Sequence, residues 1–294
     1  MYVFFIYIKN YIVKMAFKVI GDITMRDGIQ GLNKILSLQQ KISIINRLSH
    51  CNYNYIEVGS IVGKKVATMA DSAEVYKQIH KNNNVRYGLL AIGEKNIMKT
   101  IEIKPNTLAL VTSVSSAFSH KNMGVSMEES LVQTNKFVGI AKNSGIENVR
   151  VYLSCCSICP ISRYDMSKDV GKFVKHLSEK YIDELMISDT SGTMTRKMLN
   201  EIMVGLHADA LFPRNKIGLH LHEGVETRKV LELATKYNIK IIDTSFAKLG
   251  GCVVIENAHN NLHINRIREY GNNLNMKLID RCDKELTKYL FNKN

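Results

Sequence analysis

The chain has 294 residues, 45% of them hydrophobic and 23% charged, with three Pro and no Trp. That balance excludes intrinsic disorder and collagen-like or Pro-rich chains, and the length can bury one large core. No apolar run approaches the ~18 residues of a membrane span. The net charge of +13 favours polyanionic ligands, but Lys and Arg are scattered without interleaved aromatics, so a nucleic-acid groove is not expected.

The N-terminal stretch MYVFFIYIKNYIVKMAF is apolar but too short to span a bilayer. It has neither a small-residue cleavage site nor Arg, so secretory and mitochondrial leaders are not expected. Residues 1–16 read as an extension that is not necessarily translated, with Met15 as an alternative start. Residues 17–294 read as a single domain. The C-terminal FNKN is not a peroxisomal signal. Six Cys, at 51, 155, 156, 159, 252 and 282, read as reduced thiols of an intracellular, cytoplasmic protein. Cys156 and Cys159 form a lone C-x-x-C, a weak metal signal.

From Lys18 onward, apolar β-branched runs alternate with helix-length amphipathic segments. The runs are KVIGDIT (18–24), YIEVGS (55–60), VRYGLLAIG (85–93), TLALVTSVS (107–115), VRVYLSC (149–155), ELMISDT (184–190), KIGLHLH (216–222) and IKIIDTSFA (239–247). A helical pattern follows each; one begins at Ser126, with Glu129 as its capping-box partner. Eight repeats at this spacing predict an α/β fold, a closed (β/α)8 TIM barrel with extra C-terminal helices packed at its rim or base. An open doubly wound sheet is the alternative, but no G-x-G-x-x-G follows the first strand.

In such barrels the chemistry sits at the C-terminal strand ends. There the sequence places Arg26-Asp27-Gly28, Glu57, Asp189, His220-Leu221-His222 and the loop Lys248-Leu249-Gly250-Gly251-Cys252, with Asn261 nine residues on. Residues two apart on a strand share a face, so His220 and His222 can converge over the mouth. Two His bonded to polar neighbours is the bland alternative. With Asp27 and Asn261 oxygens nearby, the set suits Mg²⁺ or Mn²⁺, while Zn²⁺ stays compatible. Arg26 can face a developing oxyanion or pair with Glu57 or Asp189. Cys252 follows two glycines, which permit positive φ; its thiol reads as a proton-transfer group or as an inert turn residue.

Several motifs together resemble the 3-hydroxy-3-methylglutaryl-CoA lyase family. These are R-D-G-I-Q (26–30), I-E-V-G-S (56–60), K-N-M-G-V-S-M-E-E-S (from Lys121), V-R-V-Y-L-S-C (149–155), S-D-T-S-G (188–192), H-L-H (220–222) and L-G-G-C (249–252). H-x-H and R-D-G occur across the metal-dependent acyl-CoA lyase and synthase superfamily; the Gly-Gly-Cys loop favours lyase. The resemblance implies a divalent metal, Mg²⁺ or Mn²⁺, on Asp27, His220, His222 and Asn261. It implies catalytic roles for Arg26, Cys252, His220, Asp189 and Glu57, and substrate contacts from Arg26, Gln30 and Arg150. The implied reaction is retro-Claisen cleavage of the hydroxyacyl-CoA to acetyl-CoA and acetoacetate. Arg26 would stabilise the acetyl-CoA enolate, and Cys252 would move a proton. An acyl-CoA substrate and a homodimer are expected, with no nucleic acid or membrane partner. A related aldolase or Claisen synthase, and a weakly catalytic barrel that binds without turnover, are the alternatives. The chain departs from the family at Gly31, Leu32 and Asn33, at Ser115-Ser116, at Glu223, at Val253-Val254, and at Ile264-Asn265-Arg266.

Overall fold

The computed structural model describes residues 16–63, 66–208, 212–247, 249–251, 255, 259–270 and 273–291. Eight parallel strands close on themselves in chain order: β1 (Val19–Asp22), β2 (Tyr55–Ile61), β3 (Arg86–Ala91), β4 (Thr107–Ser113), β5 (Asn148–Ser154), β6 (Glu184–Ser188), β7 (Ile217–His220) and β8 (Ile241–Thr244). β8 returns to β1 with Asp243 opposite Gly21 and Asp22 opposite Thr244, which closes the ring. Each expected run overlaps its strand, β2 extending one residue beyond its run to Ile61 and β5 starting one residue before its run at Asn148, and the open sheet is excluded by that closure.

The helices are α1 (Leu38–Leu48), α2 (Ser72–Gln78), α3 (Glu94–Ile103), α4 (Ser116–Met123), α5 (Met127–Asn143), α6 (Val170–Val174), α7 (Arg196–Ala208), α8 (Thr227–Lys236) and α9 (Met276–Phe291). Ser126 and Glu129 form the expected capping box at α5, and Ser37 with Gln40 forms a second at α1. After β5 the expected helix shrinks to the five residues of α6. Its room is taken by the irregular stretch from Cys155 to Asp169, whose Cys159 N–H bonds the Tyr164 carbonyl and whose Met166 N–H bonds that of Ser157. α9 lies outside the barrel against α1, where Glu285 meets Ser43 and Arg47. Among the described residues no helix is long and apolar enough to cross a membrane.

The two faces of the sheet are filled differently. Outward residues such as Leu89, Val149, Val151, Leu153 and Leu185 pack under the helices in one continuous apolar shell. Inside, apolar packing shrinks to a small cluster of Leu90, Ala109, Tyr152, Met186 and Ile241. The rest of the interior is polar. Arg150 is fully buried, its guanidinium on Glu184 (2.5 Å) and Asp243 (2.7 Å) and 3.8 Å from the Tyr55 ring centroid. Tyr55 fits only because position 88 is glycine: a Cβ there would lie 2.2 Å from its hydroxyl. This charged column rises through the barrel toward the C-terminal ends of the strands.

Candidate active site

The first strand runs into a single π-helical turn, Thr24–Gly28, which aims Arg26 and Asp27 over the barrel mouth. Such turns are rare and recur at functional sites. The Thr24 hydroxyl holds the turn in place by bonding Asp22 (3.0 Å), meeting Ser245 (3.0 Å) and accepting from the Phe246 N–H (3.1 Å). Arg26 and Asp27 are both buried, as are Glu57, Asp189, His220, His222 and Asn261.

Arg26 donates from Nε to Glu57 Oε2 and from Nη1 to Asp27 Oδ1. Burial alone would lower its pKa, but the two carboxylates hold it well above the usual arginine value, so it is a fixed cation. Glu57 Oε1 accepts the Tyr55 hydroxyl at 2.8 Å and lies 3.2 Å from that of Tyr152. Gln30 Nε2 donates to Asp27 Oδ1 at 2.5 Å. With Oδ1 so engaged, Asp27 Oδ2 is left without a hydrogen-bond partner. It faces Nε2 of His220 and Nε2 of His222, each 3.9 Å away. Burial raises the Asp27 pKa, but Arg26 and the two imidazoles outweigh it and hold the carboxyl below its ordinary value.

The histidines are oriented from behind. His222 Nδ1 lies 2.6 Å from the Asp189 carbonyl oxygen, a contact that fits an Nδ1–H donor and leaves the Nε2 lone pair facing the mouth. Burial and the neighbouring His220 lower the His222 pKa, which favours this neutral form. His220 Nδ1 turns to Asp243 Oδ2 at 3.4 Å. Asn261 reaches the cluster from the returning loop, bridged through its backbone to His222. Gly250 leaves it room: φ there is +113°, and a Cβ would stand 2.1 Å from Asn261 Nδ2.

These atoms pass a chemical test for a cation. Asp27 Oδ2, His222 Nε2 and both amide atoms of Asn261 are buried and lack hydrogen-bond partners. Leaving such groups unpaired in a protein interior costs about 1–3 kcal/mol each. An oxygen- and imidazole-seeking divalent ion would satisfy them together. Among the described residues, Asp27, His220 and His222 are the group able to hold a metal, their ligand atoms lying within 4.8 Å of one another. The C-x-x-C does not form one. Cys156 Sγ turns to the Leu153 carbonyl (3.0 Å), while Cys159 sits against Ser115 (3.0 Å). Hydrogen bonds from Cys155, Ser115 and Ser162 outweigh burial and push the Cys159 thiol down to about 4.

The other expected site residues divide clearly. Gln30 and Glu57 stand at the mouth, touching Asp27 and Arg26. The Asp189 carboxylate accepts from the Ser157 hydroxyl (2.6 Å) and the Thr193 N–H (3.0 Å), so its side chain fixes a loop and its carbonyl steers His222. The expectation of a substrate contact from Arg150 is corrected. This residue lies inside the barrel with no exposed surface, and it acts on the site through Asp243, which touches His220. Cys252 and Lys248 lie outside the described residues, as do residues 1–15.

Tyr55, Tyr152 and Asp243 are functional neighbours that the sequence reading missed. Two signals could have found them. Asp243 interrupts an otherwise apolar run, and Tyr152 lies two residues from Arg150 on the same strand face.

Comparison with known proteins decides the family. The HMGL-like family model matches residues 18–267. The chain belongs to the HMGL-like family. Among relatives of this family, the cytoplasmic 3-hydroxy-3-methylglutaryl-CoA lyase of Danio rerio is 32% identical over 246 residues, 83% of this chain and 72% of the relative. A 3-hydroxy-3-isohexenylglutaryl-CoA/hydroxy-methylglutaryl-CoA lyase of Pseudomonas aeruginosa is 29% identical, covering 82% of this chain and 80% of its own. The crystal structure of an HMG-CoA lyase from Brucella melitensis superposes with a TM-score of 0.85 at 25% identity, over 93% of this chain and 99% of that one. This HMGL-like protein is a TIM-barrel carbon–carbon lyase of a divalent-metal-dependent family.

Proposed function

We propose that this chain cleaves 3-hydroxy-3-methylglutaryl-CoA, or a close branched 3-hydroxyacyl-CoA, to acetyl-CoA and a 3-oxo acid. The observation that carries the reading is the set of unpartnered buried atoms on Asp27, His222 and Asn261 beside a fixed Arg26. Asp27, His220, His222 and Asn261 would hold the divalent cation, Mg²⁺ or Mn²⁺. Bound there, it would supply Lewis acidity to the substrate's tertiary hydroxyl, whose proton would pass to a carboxylate of the mouth, Glu57 being the expected acceptor, as the alcohol becomes the ketone of the 3-oxo acid.

The chain's own residues do the rest. As the carbon–carbon bond breaks, negative charge grows on the thioester oxygen, and the Arg26 guanidinium, locked by Glu57 and Asp27, is aimed at it without having to reorganise. Gln30 keeps Asp27 oriented. Cys252, on the Gly250-Gly251 loop, would deliver a proton from Sγ to the departing enolate carbon. Burial of the cluster keeps water from quenching that carbanion first.

The experiment is acetoacetate release from 3-hydroxy-3-methylglutaryl-CoA with added Mg²⁺ or Mn²⁺, and with chelator as control. Metal-dependent release supports the reading. No release from folded, Mn²⁺-bound protein removes this substrate. Cys252→Ala is expected to cut turnover about 10²–10⁴-fold while leaving Mn²⁺ affinity unchanged. One feature favours a second reading, a barrel that binds without turnover: where the resemblance to the lyase family implies Thr-Glu-Asp, this chain has Ile264-Asn265-Arg266, and Arg266 is engaged by Glu223. A cytoplasmic homodimer is the expected setting, although relatives include both cytoplasmic and mitochondrial proteins.

A further inference from the structure

Two loops meet at the mouth beside β7 and β8. Residues 221–224 leave β7, and residues 259–266 return across them. The loops are joined by Leu262 N–H to the Leu221 carbonyl (2.9 Å), Glu223 N–H to the Asn260 carbonyl (2.8 Å), and the bridge between His222 and Asn261. A side-chain clasp spans the same junction. Glu223 Oε1 accepts the His263 N–H at 3.1 Å. Arg266 donates from Nε to both Glu223 oxygens, at 3.1 and 3.0 Å, and its Nη2 lies 2.8 Å from Oε2. Arg266 itself rides on a short 3-10 turn, Ile264–Tyr270, pinned by the buried Ile264 and Ile267.

Asn261 needs such a device. Its amide is buried yet has no hydrogen-bond partner, so its side chain does not anchor its own position. The segment that carries it must be held by its flanks.

We propose that Glu223 and Arg266 form a latch that holds Asn261 beside His222, which makes both of them positioning residues for metal binding. The proposal rests on the reading of Asn261 as a metal ligand. The planar fork of Arg266 matches the carboxylate at two points, which a lysine ammonium cannot reproduce. The Glu223 side chain reaches both the fork and the His263 N–H, so neutralising it weakens two ties at once.

Mn²⁺ titration of the full chain, followed by the EPR signal of free Mn²⁺, tests this without relying on turnover. Arg266→Gln is the decisive variant. A purely electrostatic role predicts tighter Mn²⁺ binding when a nearby positive charge is removed. The latch predicts weaker binding, by about fivefold for a half-exposed bidentate pair. Arg266→Lys should behave like Arg266→Gln despite keeping its charge. Glu223→Gln should weaken binding at least as much, and the double variant should be little worse than Glu223→Gln alone, because that change already weakens the one contact Arg266 makes in the latch. Arg266 is more than half exposed in its side chain, so the thermal midpoint of the metal-free protein should not move. Asn261→Ala separates the two readings. If it weakens Mn²⁺ binding while Arg266→Gln and Glu223→Gln leave it unchanged, the latch is overturned and the ligand reading stands. If Asn261→Ala leaves binding unchanged, the ligand reading fails and takes the latch with it.

Discussion

Asp22 and Asp243 sit on neighbouring strands of one sheet and are both fully buried, yet their chemistry is opposite. Asp22 faces the helix shell, where Thr24 and Tyr53 offer hydrogen bonds and, among the described residues, no cation pairs with it; burial pushes its carboxyl up to about 7. Asp243 faces the barrel interior. Burial acts on it too, but Arg150 and His220 overcome it and hold the group near 2. The shell is thus a medium that rejects charge, while the interior is a prebuilt polar column that stabilises it. The column is what lets Arg26, Asp27 and two histidines share one buried mouth. The shell supplies the apolar burial that stabilises the fold around them.

The largest expected effect comes from breaking the column. Arg150→Ala strips Asp243 of its guanidinium and leaves Glu184 with Arg86 alone, and the loss of stability in urea should be about 3–5 kcal/mol. A loss under about 1 kcal/mol would mean that the column is not held together by charge pairing. In the shell, Leu199→Ala removes a fully buried side chain under α7, for a loss of about 2–5 kcal/mol. Its Mn²⁺ affinity should match that of the wild type; a matched loss of affinity would dissolve the distinction between the regions.

Asp22 sharpens the comparison through pH. Its folded pKa stands above its unfolded value of 3.8, so the folded state keeps a proton that the unfolded state has released. That contribution is fully present below about pH 4 and is lost as the pH rises to about 7, by at most about 1.4 kcal/mol per pH unit. Asp22→Asn should flatten the fall in stability between pH 5 and 7 measured by urea melts; an unchanged slope would show that Asp22 is ionised throughout. The smallest effect is expected for Tyr152→Phe. It removes the hydroxyl lying between Glu57 and Asp243 (3.2 and 3.0 Å), for about 0.5–1.5 kcal/mol of stability. A loss of Mn²⁺ affinity larger than that would make Tyr152 the link between the Arg26 support and the His220 support.

Much of this was legible along the chain. Short apolar runs such as TLALVTS and period-3.6 segments such as Met127–Asn143 are local signals, and β4 and α5 form where those patterns lie. The H-x-H pair is equally local, since two residues on one strand face share a direction without help from the rest of the fold. The short α6 was not legible, because the bonds that shape residues 155–169 depend on which loop groups meet, and no periodicity encodes that. Cys159 was paired in the sequence with Cys156, but the backbone turned it to Cys155 and Ser115 instead.

By itself the sequence determined the strand and helix repeat, the barrel, the polar strand ends and the family, because each follows from short-range periodicity or from motifs of a few residues. Only the tertiary structure decided that Arg150 works from inside the barrel, that Asp243 stands behind His220, and that Glu223 meets Arg266 beside Asn261. Those pairings join residues far apart along the chain, and closing the ring of strands is the physical event that brings them within reach of one another.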